Sequence, residues 1–139
     1  MNDNKEVRWK QRFQNFSRAF LLLRELDGQN LDLLKPIEQE GFIQRFEYTF
    51  ELAWKTAKDY LTEQGVTLSE ITPRTVLKSA FAAGIISNGQ GFIDMLNSRN
   101  LLSHTYDFET FRDILAKVQA EYLQALEEFH GFLSEKLYD

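Results

Sequence analysis

The chain of 139 residues is 43% hydrophobic and 14% aromatic, which predicts one folded domain over residues 1–139 rather than a disordered segment. It contains no Cys, so disulfide scaffolds, thiolate zinc sites and a cysteine nucleophile are excluded. The net charge of −5 argues against a broad nucleic-acid-binding surface. The polar N-terminus and the lack of a bilayer-length apolar run predict a cytoplasmic protein without a membrane partner.

The first two helices are predicted over residues 7–26 and 38–64, with a connector containing Pro36 between them. Apolar residues recur at spacings of three and four in both, beginning with Trp9, Phe13, Phe16, Phe20 and Leu23. Gly28 is expected to cap the first helix in the left-handed conformation. Glu51 and Lys55 are four residues apart and are expected to support the exposed side of the second helix.

A short third helix is predicted to begin at Pro73, with Thr72 as its N-cap, and to stop at Gly84. Residues 87–91, SNGQG, are expected to form a loop before a fourth helix over residues 92–102. The last helix is capped by Asp107, and its apolar stripe continues through Phe108, Phe111, Leu115, Val118, Tyr122, Ala125, Phe129 and Phe132.

These elements predict an all-α fold, an antiparallel up-and-down bundle of four to five helices. The stripe on the last helix is wide enough to pack against its own bundle and also against a second copy. A homodimer is therefore expected, although one monomeric core that uses the whole stripe is the alternative.

The densest set of reactive side chains lies in the segment SRNLLSHTYD, residues 98–107. The planar guanidinium of Arg99 matches a phosphate, and His104 can accept or give a proton near neutral pH. Together they could cleave RNA without a metal, using the ribose 2′-hydroxyl as the nucleophile. Residues 71–104 contain three cations and one acid, so a local anion site is compatible with the net charge.

The spacing alone leaves other interpretations open. Residues five apart lie about 140° apart around an ideal helix. Arg99 and His104 therefore meet only if the helix ends or bulges between them, if Arg99 reaches round, or if a second subunit completes the site. Otherwise Arg99 is a helix-end residue, His104 a cap, and Tyr106 a residue that packs and donates one hydrogen bond.

The remaining histidine, His130, lies between apolar positions of the last helix and is interpreted as structural or exposed. The sequence has no HExxH pattern, no cluster of Asp residues and no glycine-rich phosphate loop after a strand. We therefore predict no metal site and no cofactor.

Two segments together resemble one protein family. SRNLLSHTYD resembles the Arg-x4-His-x-Tyr signature of the HEPN superfamily in its HepT-like branch. RFEYTFELAWKTAKDYL, residues 45–61, resembles the second-helix signature of the nucleotidyltransferase substrate-binding proteins of the same branch. The resemblance covers essentially the whole chain and implies a homodimeric helical bundle encoded beside a minimal nucleotidyltransferase.

The resemblance also implies roles for individual residues. Arg99 and His104 would be the catalytic pair of a metal-independent endoribonuclease toxin, and Asn100 and Ser103 would support them. Tyr106 would be the side chain to which the nucleotidyltransferase antitoxin transfers AMP. The alternative is a non-catalytic subunit that binds a substrate or nucleotide for the nucleotidyltransferase, and a purely structural adaptor is the third possibility.

Overall fold

The computed structural model describes the backbone of residues 3–138 and the side chains of residues 8–138. These residues form the helices α1 (Asp3–Leu23), α2 (Pro36–Glu63), α3 (Pro73–Ala82), α4 (Gly89–Leu102), α5 (Phe108–Lys117) and α6 (Leu123–Lys136). A π-helical segment, Val118–Tyr122, joins α5 to α6 without a break. Residues 3–138 contain no strand, and the predicted all-helical bundle is confirmed.

The core consists of the apolar stripes that the helical spacing predicts. The five apolar residues that define the stripe of α1 are all buried, and rings from distant helices meet between them. The ring centroids of Trp9 and Tyr60 are 5.0 Å apart, and those of Phe16 and Phe129 are 5.6 Å apart. Burial of these large side chains is the main source of stability of the bundle.

Four helix ends differ from the predictions. Helix α1 begins at Asp3, four residues earlier than predicted, and the other three ends depend on local hydrogen bonding. The first helix tightens into a 3₁₀ turn, Arg24–Leu26, before Gly28, which has the predicted positive φ of 77°. Helix α2 begins at Pro36, two residues earlier than predicted. Pro36 occupies the first helical position, where it loses no hydrogen bond, and the Glu38 carboxylate accepts from the Lys35 backbone N–H at 2.8 Å.

The predicted loop over residues 87–91 is wrong from Gly89 onward, because α4 begins there. The Asn88 side chain caps the helix by accepting a hydrogen bond from the Gly91 backbone N–H at 2.8 Å. A Cβ on Gly91 would lie 2.6 Å from the Asn88 amide nitrogen, so the glycine makes room for the cap. The caps predicted at Thr72 and Asp107 are both present.

The π-helical segment connects the core to the start of the SRNLLSHTYD segment. Tyr122, its last residue, stacks on Phe46 with ring centroids 5.7 Å apart. The Tyr122 hydroxyl lies 2.8 Å from the Ser98 hydroxyl, and both residues are buried. This hydrogen bond ties α4 to the long C-terminal helix one residue before Arg99. None of the helices in the described part of the chain combines the length and hydropathy needed to cross a bilayer.

Candidate functional site

The C-terminal end of α4 determines how the two candidate catalytic residues are presented. The helix ends at Leu102, and the Ser103 and His104 backbone N–H groups donate to the carbonyls of Asn100 and Leu101 at 3.2 and 3.0 Å. The Ser103 hydroxyl also donates to the Asn100 carbonyl at 2.6 Å. The helix therefore ends between Arg99 and His104, which is one of the arrangements that the spacing left open.

Arg99 is held by two neighbouring residues. Its Nε donates to Glu51 Oε1 at 2.8 Å, Nη2 donates to the same oxygen, and Nη1 donates to Asn100 Oδ1 at 3.0 Å. A guanidinium has five N–H donors, so two of them have no partner among residues 8–138. Because the side chain is half-buried, these two donors can reach an anion from a fixed position.

Glu51 is itself held on its other side. Its Oε2 accepts from Trp54 Nε1 at 3.1 Å and lies 3.9 Å from Lys55 Nζ. The predicted Glu51–Lys55 pair is thus present, but the carboxylate is half-buried and faces Arg99 rather than only supporting an exposed side. Sequence reasoning missed this contact.

Three carboxylates of α2, Glu40, Glu47 and Glu51, are spaced seven and four residues apart and therefore share one helical face. We call them the carboxylate stripe. Burial raises the pKa of Glu47, while the positive charge of Arg99 acts in the opposite direction. Glu51, which forms an ion pair with Arg99, and Glu47, which interacts with its charge, therefore place two carboxylates near one guanidinium. The seven- and four-residue spacing of these three glutamates is the sequence feature from which the carboxylate stripe could have been predicted.

His104 and Tyr106 lie at the surface after the end of α4. The His104 imidazole is exposed and has no hydrogen-bond partner in the described part of the chain, so no hydrogen bond joins it to Arg99. The Tyr106 side chain is 75% exposed, and its ring packs edge-on against Phe111 with centroids 5.2 Å apart. A hydrogen bond to Glu40 raises the pKa of the Tyr106 phenol. The Tyr106 ring thus packs on Phe111, and its hydroxyl stays accessible beside Glu40.

His130 lies far from this segment, in an aromatic environment. Its Nε2 is 2.9 Å from the Ser17 hydroxyl, and its ring centroid is 5.1 Å from that of Phe13 and 5.5 Å from that of Phe20. Burial lowers the pKa of His130. The contacts agree with a structural role. Within the described residues, no group of three or more His, Asp or Glu side chains is placed to hold a metal ion.

Comparison with known proteins gives a consistent picture. Residues 11–135 match the family described as nucleotidyltransferase substrate binding protein like. "Probable ribonuclease HepT" of Haemophilus influenzae is 28% identical over 100 residues, which are 70% of this chain. The match spans 65% of the length of that curated relative.

The fold also matches a solved structure. A crystal structure from Thermus thermophilus is similar with a TM-score of 0.73 and 30% sequence identity, over 84% of this chain and 96% of the other. The family match covers most of the chain, and both sequence signatures lie inside it. The chain therefore belongs to the nucleotidyltransferase substrate-binding-protein-like family, the HepT-like branch of the HEPN proteins.

Proposed function

We propose that this protein is a metal-independent endoribonuclease toxin that is neutralised by a cognate minimal nucleotidyltransferase. One observation carries the proposal. The Arg99 guanidinium is fixed by Glu51 and Asn100, and it keeps two free N–H donors five residues before the exposed His104. The name of the Haemophilus relative supports the ribonuclease activity, and the description of the family supports the association with a nucleotidyltransferase.

In the proposed reaction, His104 takes the proton of a ribose 2′-hydroxyl, and the 2′ oxygen attacks the adjacent phosphorus. The bond from phosphorus to the 5′ oxygen of the next nucleotide breaks, which leaves a 2′,3′-cyclic phosphate and a 5′-hydroxyl. Arg99 stabilises the negative charge that builds on the non-bridging oxygens. The leaving 5′ oxygen takes its proton from the His104 imidazolium, the protonated form, of a second copy, because a homodimer would bring two such motifs into one cleft.

Supporting roles fall to Asn100 and Ser103. The Asn100 side chain fixes the outer nitrogen of Arg99, and the Ser103 hydroxyl holds the last turn of α4 through the Asn100 carbonyl. These contacts keep the guanidinium at the helix end, where a positive charge also interacts favourably with the helix dipole.

Tyr106 is the proposed switch. Its ring is fixed on Phe111 and its hydroxyl is accessible, so a nucleotidyltransferase can reach it without unfolding the bundle. The hydroxyl oxygen attacks the α-phosphorus of ATP, the bond to pyrophosphate breaks, and the phenolic proton passes to the Glu40 carboxylate beside it. The attached AMP adds bulk and negative charge to the SRNLLSHTYD segment, which excludes RNA.

The test uses the chain with and without its partner. Induction of the wild type alone should stop growth, and the purified protein should cut RNA in the presence of EDTA, whereas His104→Ala should do neither. After coexpression with the nucleotidyltransferase, intact-mass measurement should show an added AMP that is absent in Tyr106→Phe. If the wild type and His104→Ala grow alike and neither cuts RNA, the toxin proposal is wrong.

The second candidate is a non-catalytic subunit that holds a nucleotide or substrate for the nucleotidyltransferase. It is favoured by the family match, whose description is nucleotidyltransferase substrate binding protein like. Nucleotide binding that persists in the complex, with transfer to a third molecule rather than to Tyr106, would identify this function.

A further inference from the structure

One exposed line of side chains lies away from the SRNLLSHTYD segment. Arg74, Lys78 and Phe81 are spaced four and three residues apart, so they share one face of α3, and Ile71 lies two residues before the helix begins. Ile71 and Phe81 are 58% and 55% exposed. We call these four residues the α3 strip. Along the strip, an apolar group is followed by two cations and then by an aromatic ring.

The two cations of the strip are free to bind a ligand. Arg74 and Lys78 are exposed, and neither has a carboxylate within ion-pair distance among residues 8–138. Several other cations of the chain are paired, for example Arg24 with Glu127 and Arg45 with Glu25. The strip therefore holds two unneutralised charges four residues apart on one helix.

An apolar cavity of about 370 Å³ lies beside the strip, between α3 and the start of α4. It is lined by Leu77, Lys78, Phe81, Gly89, Gln90 and Ile93. A Cβ on Gly89 would lie 3.0 Å from the Phe81 ring, so the ring rests directly against the glycine backbone while more than half of the side chain stays exposed. Phe81 thus offers a supported aromatic surface at the edge of a cavity.

The charge around Arg99 makes a second contact surface favourable for an RNA substrate. Most of the affinity for RNA comes from cations that neutralise phosphates. At the site, however, Glu51 already pairs with Arg99, and Glu47 lies close enough to interact with its charge. Cations elsewhere would strengthen binding of the rest of the strand, and residues 71–104 contain two besides Arg99, namely Arg74 and Lys78, with one acid.

We propose that the α3 strip binds a single-stranded segment of the RNA substrate. Arg74 and Lys78 contact successive phosphates, and a base stacks on Phe81 and enters the cavity. The cavity has the size typical of a site for one small planar group. The inference rests on the proposed ribonuclease function, because it assigns to that function its substrate-docking surface.

The cavity beside the strip and Arg99 share one helix, α4. Gln90 and Ile93 line the cavity on α4, and Arg99 lies nine and six residues further along the same helix, which is about 14 and 9 Å. Around the axis of α4, Arg99 is turned about 180° from Gln90 and about 120° from Ile93, so a strand held on the strip reaches Arg99 by passing around the helix. Docking of a folded protein is less well supported, because a line of side chains on a ten-residue helix is smaller than the roughly 800 Å² per partner of a standard interface.

The experiment measures binding of a fluorescently labelled 12-nucleotide single-stranded RNA of mixed sequence to full-length protein carrying His104→Ala, which prevents cleavage. Adding Arg74→Ala and Lys78→Ala should weaken binding at least tenfold at 0.1 M salt. The slope of log Kd against log salt should fall by about 1.4, since each single-strand phosphate contact contributes about 0.7. Phe81→Ala should weaken binding at least fivefold, in line with the stacking energy of a base on an aromatic ring.

The control is Lys35→Ala with Lys117→Ala, which removes the same charge from two exposed cations outside the strip. It should change Kd by less than twofold. If the strip double variant and the control double variant lose RNA affinity equally, the docking site is wrong, because net charge alone would then determine binding. Unchanged RNA binding in the strip variants, with loss of nucleotidyltransferase binding, would overturn it in favour of a protein interface.

Cleavage of RNA by the wild type distinguishes the proposed docking site from the proposed ribonuclease function. Cleavage by the wild type, with unchanged RNA binding and cleavage in the strip variants, would overturn the docking site and leave the ribonuclease function intact. Binding that depends on the strip, in a wild type that cuts no RNA, would support the docking site and overturn the ribonuclease.

Discussion

The guanidinium of Arg99 donates two hydrogen bonds to one oxygen of Glu51, through Nε at 2.8 Å and through Nη2. This geometry restricts the long Arg side chain to one orientation at the end of α4. It also neutralises much of the charge that a phosphate would meet. Glu51 therefore acts on the site through Arg99, as a positioning residue.

The first prediction concerns this contact. Glu51→Ala should slow RNA cleavage at least tenfold, because the guanidinium loses its fixed orientation while the exposed imidazole is untouched. The free energy of unfolding should fall by about 1–3 kcal/mol, since the hydrogen bonds involve charged groups in a half-buried position. Cleavage rates and urea unfolding of the purified variant measure the two effects.

A double-mutant cycle separates positioning from packing. Glu51→Ala, Arg99→Ala and the double variant should show a coupling energy of about 1–3 kcal/mol in unfolding, because the residues are in direct contact. In the cleavage assay, Glu51→Ala should have no further effect once Arg99 is absent. Independent, additive effects of the two substitutions on cleavage would contradict the positioning role.

The second prediction concerns the hydrogen bond between Tyr106 and Glu40. The carboxylate favours the neutral phenol, which raises the pKa of Tyr106, and it also provides an acceptor for the phenolic proton when the oxygen attacks phosphorus. Glu40→Gln should therefore slow AMP transfer to Tyr106 by about 10²-fold. A time course of intact mass with ATP and the nucleotidyltransferase measures the rate.

Glu47→Gln is the matched control for Glu40→Gln, since it removes a charge from the same face of α2, while the phenol of Tyr106 bonds to Glu40. It should leave the transfer rate within about twofold of the wild type. Faster transfer in Glu40→Gln would instead mean that Glu40 restrains the hydroxyl.

The core could be predicted from the sequence because helical periodicity is a local property. The spacing of Trp9, Phe13 and Phe16 defines a face, and any bundle built from that helix must bury it. The first residues of α2 and α4 could not be predicted as accurately as the core. They depend on particular capping contacts, such as that of Asn88 with Gly91, and such contacts decide helix ends within a few residues.

In the candidate site, too, some features could be predicted from the sequence and others could not. The positions of Arg99, His104 and Tyr106 in one segment were visible in the sequence, and the end of α4 between the first two was one of several open arrangements. The partner of Arg99 was not visible, because Glu51 lies 48 residues away in the sequence. Tertiary packing of α2 against α4 creates this contact, and spacing within one helix cannot predict it.

The third prediction concerns the buried hydrogen bond between Ser98 and Tyr122. Tyr122→Phe keeps the ring that stacks on Phe46 but leaves the Ser98 hydroxyl without its partner at 2.8 Å. The free energy of unfolding should fall by about 1–2 kcal/mol, the cost of leaving a buried hydroxyl unpaired. Chemical denaturation measures the change, and RNA cleavage should stay near the wild-type rate.

Removing both hydroxyls tests whether the unpaired hydroxyl causes the loss of stability. The double variant Ser98→Ala with Tyr122→Phe should be more stable than the sum of the two single losses predicts, because no unpaired polar group remains. Additive losses would indicate that the two hydroxyls do not depend on each other.

The fourth prediction concerns pH and His130. Burial lowers the pKa of His130 in the folded protein below its ordinary value of 6.5, while the unfolded chain keeps the ordinary value. The nearby charge of Glu127 opposes this shift and that of Arg24 adds to it. The unfolded state therefore binds more protons than the folded state as the pH falls. The stability that neutral His130 contributes is complete above 6.5, the pKa in the unfolded chain, and it is lost as the pH falls from there through the lower pKa of the folded protein.

Thermal unfolding at several pH values between about 7.5 and 5.5 measures this dependence, since the ordinary pKa values of Asp and Glu lie lower. The wild type should lose Tm across that interval, and His130→Gln, which can keep a hydrogen bond to Ser17, should lose less. His104→Gln is the matched control, because His104 is the other histidine of the chain and is exposed. It should follow the wild-type curve. An equal slope in the wild type and His130→Gln would show that burial of this imidazole does not set the pH dependence.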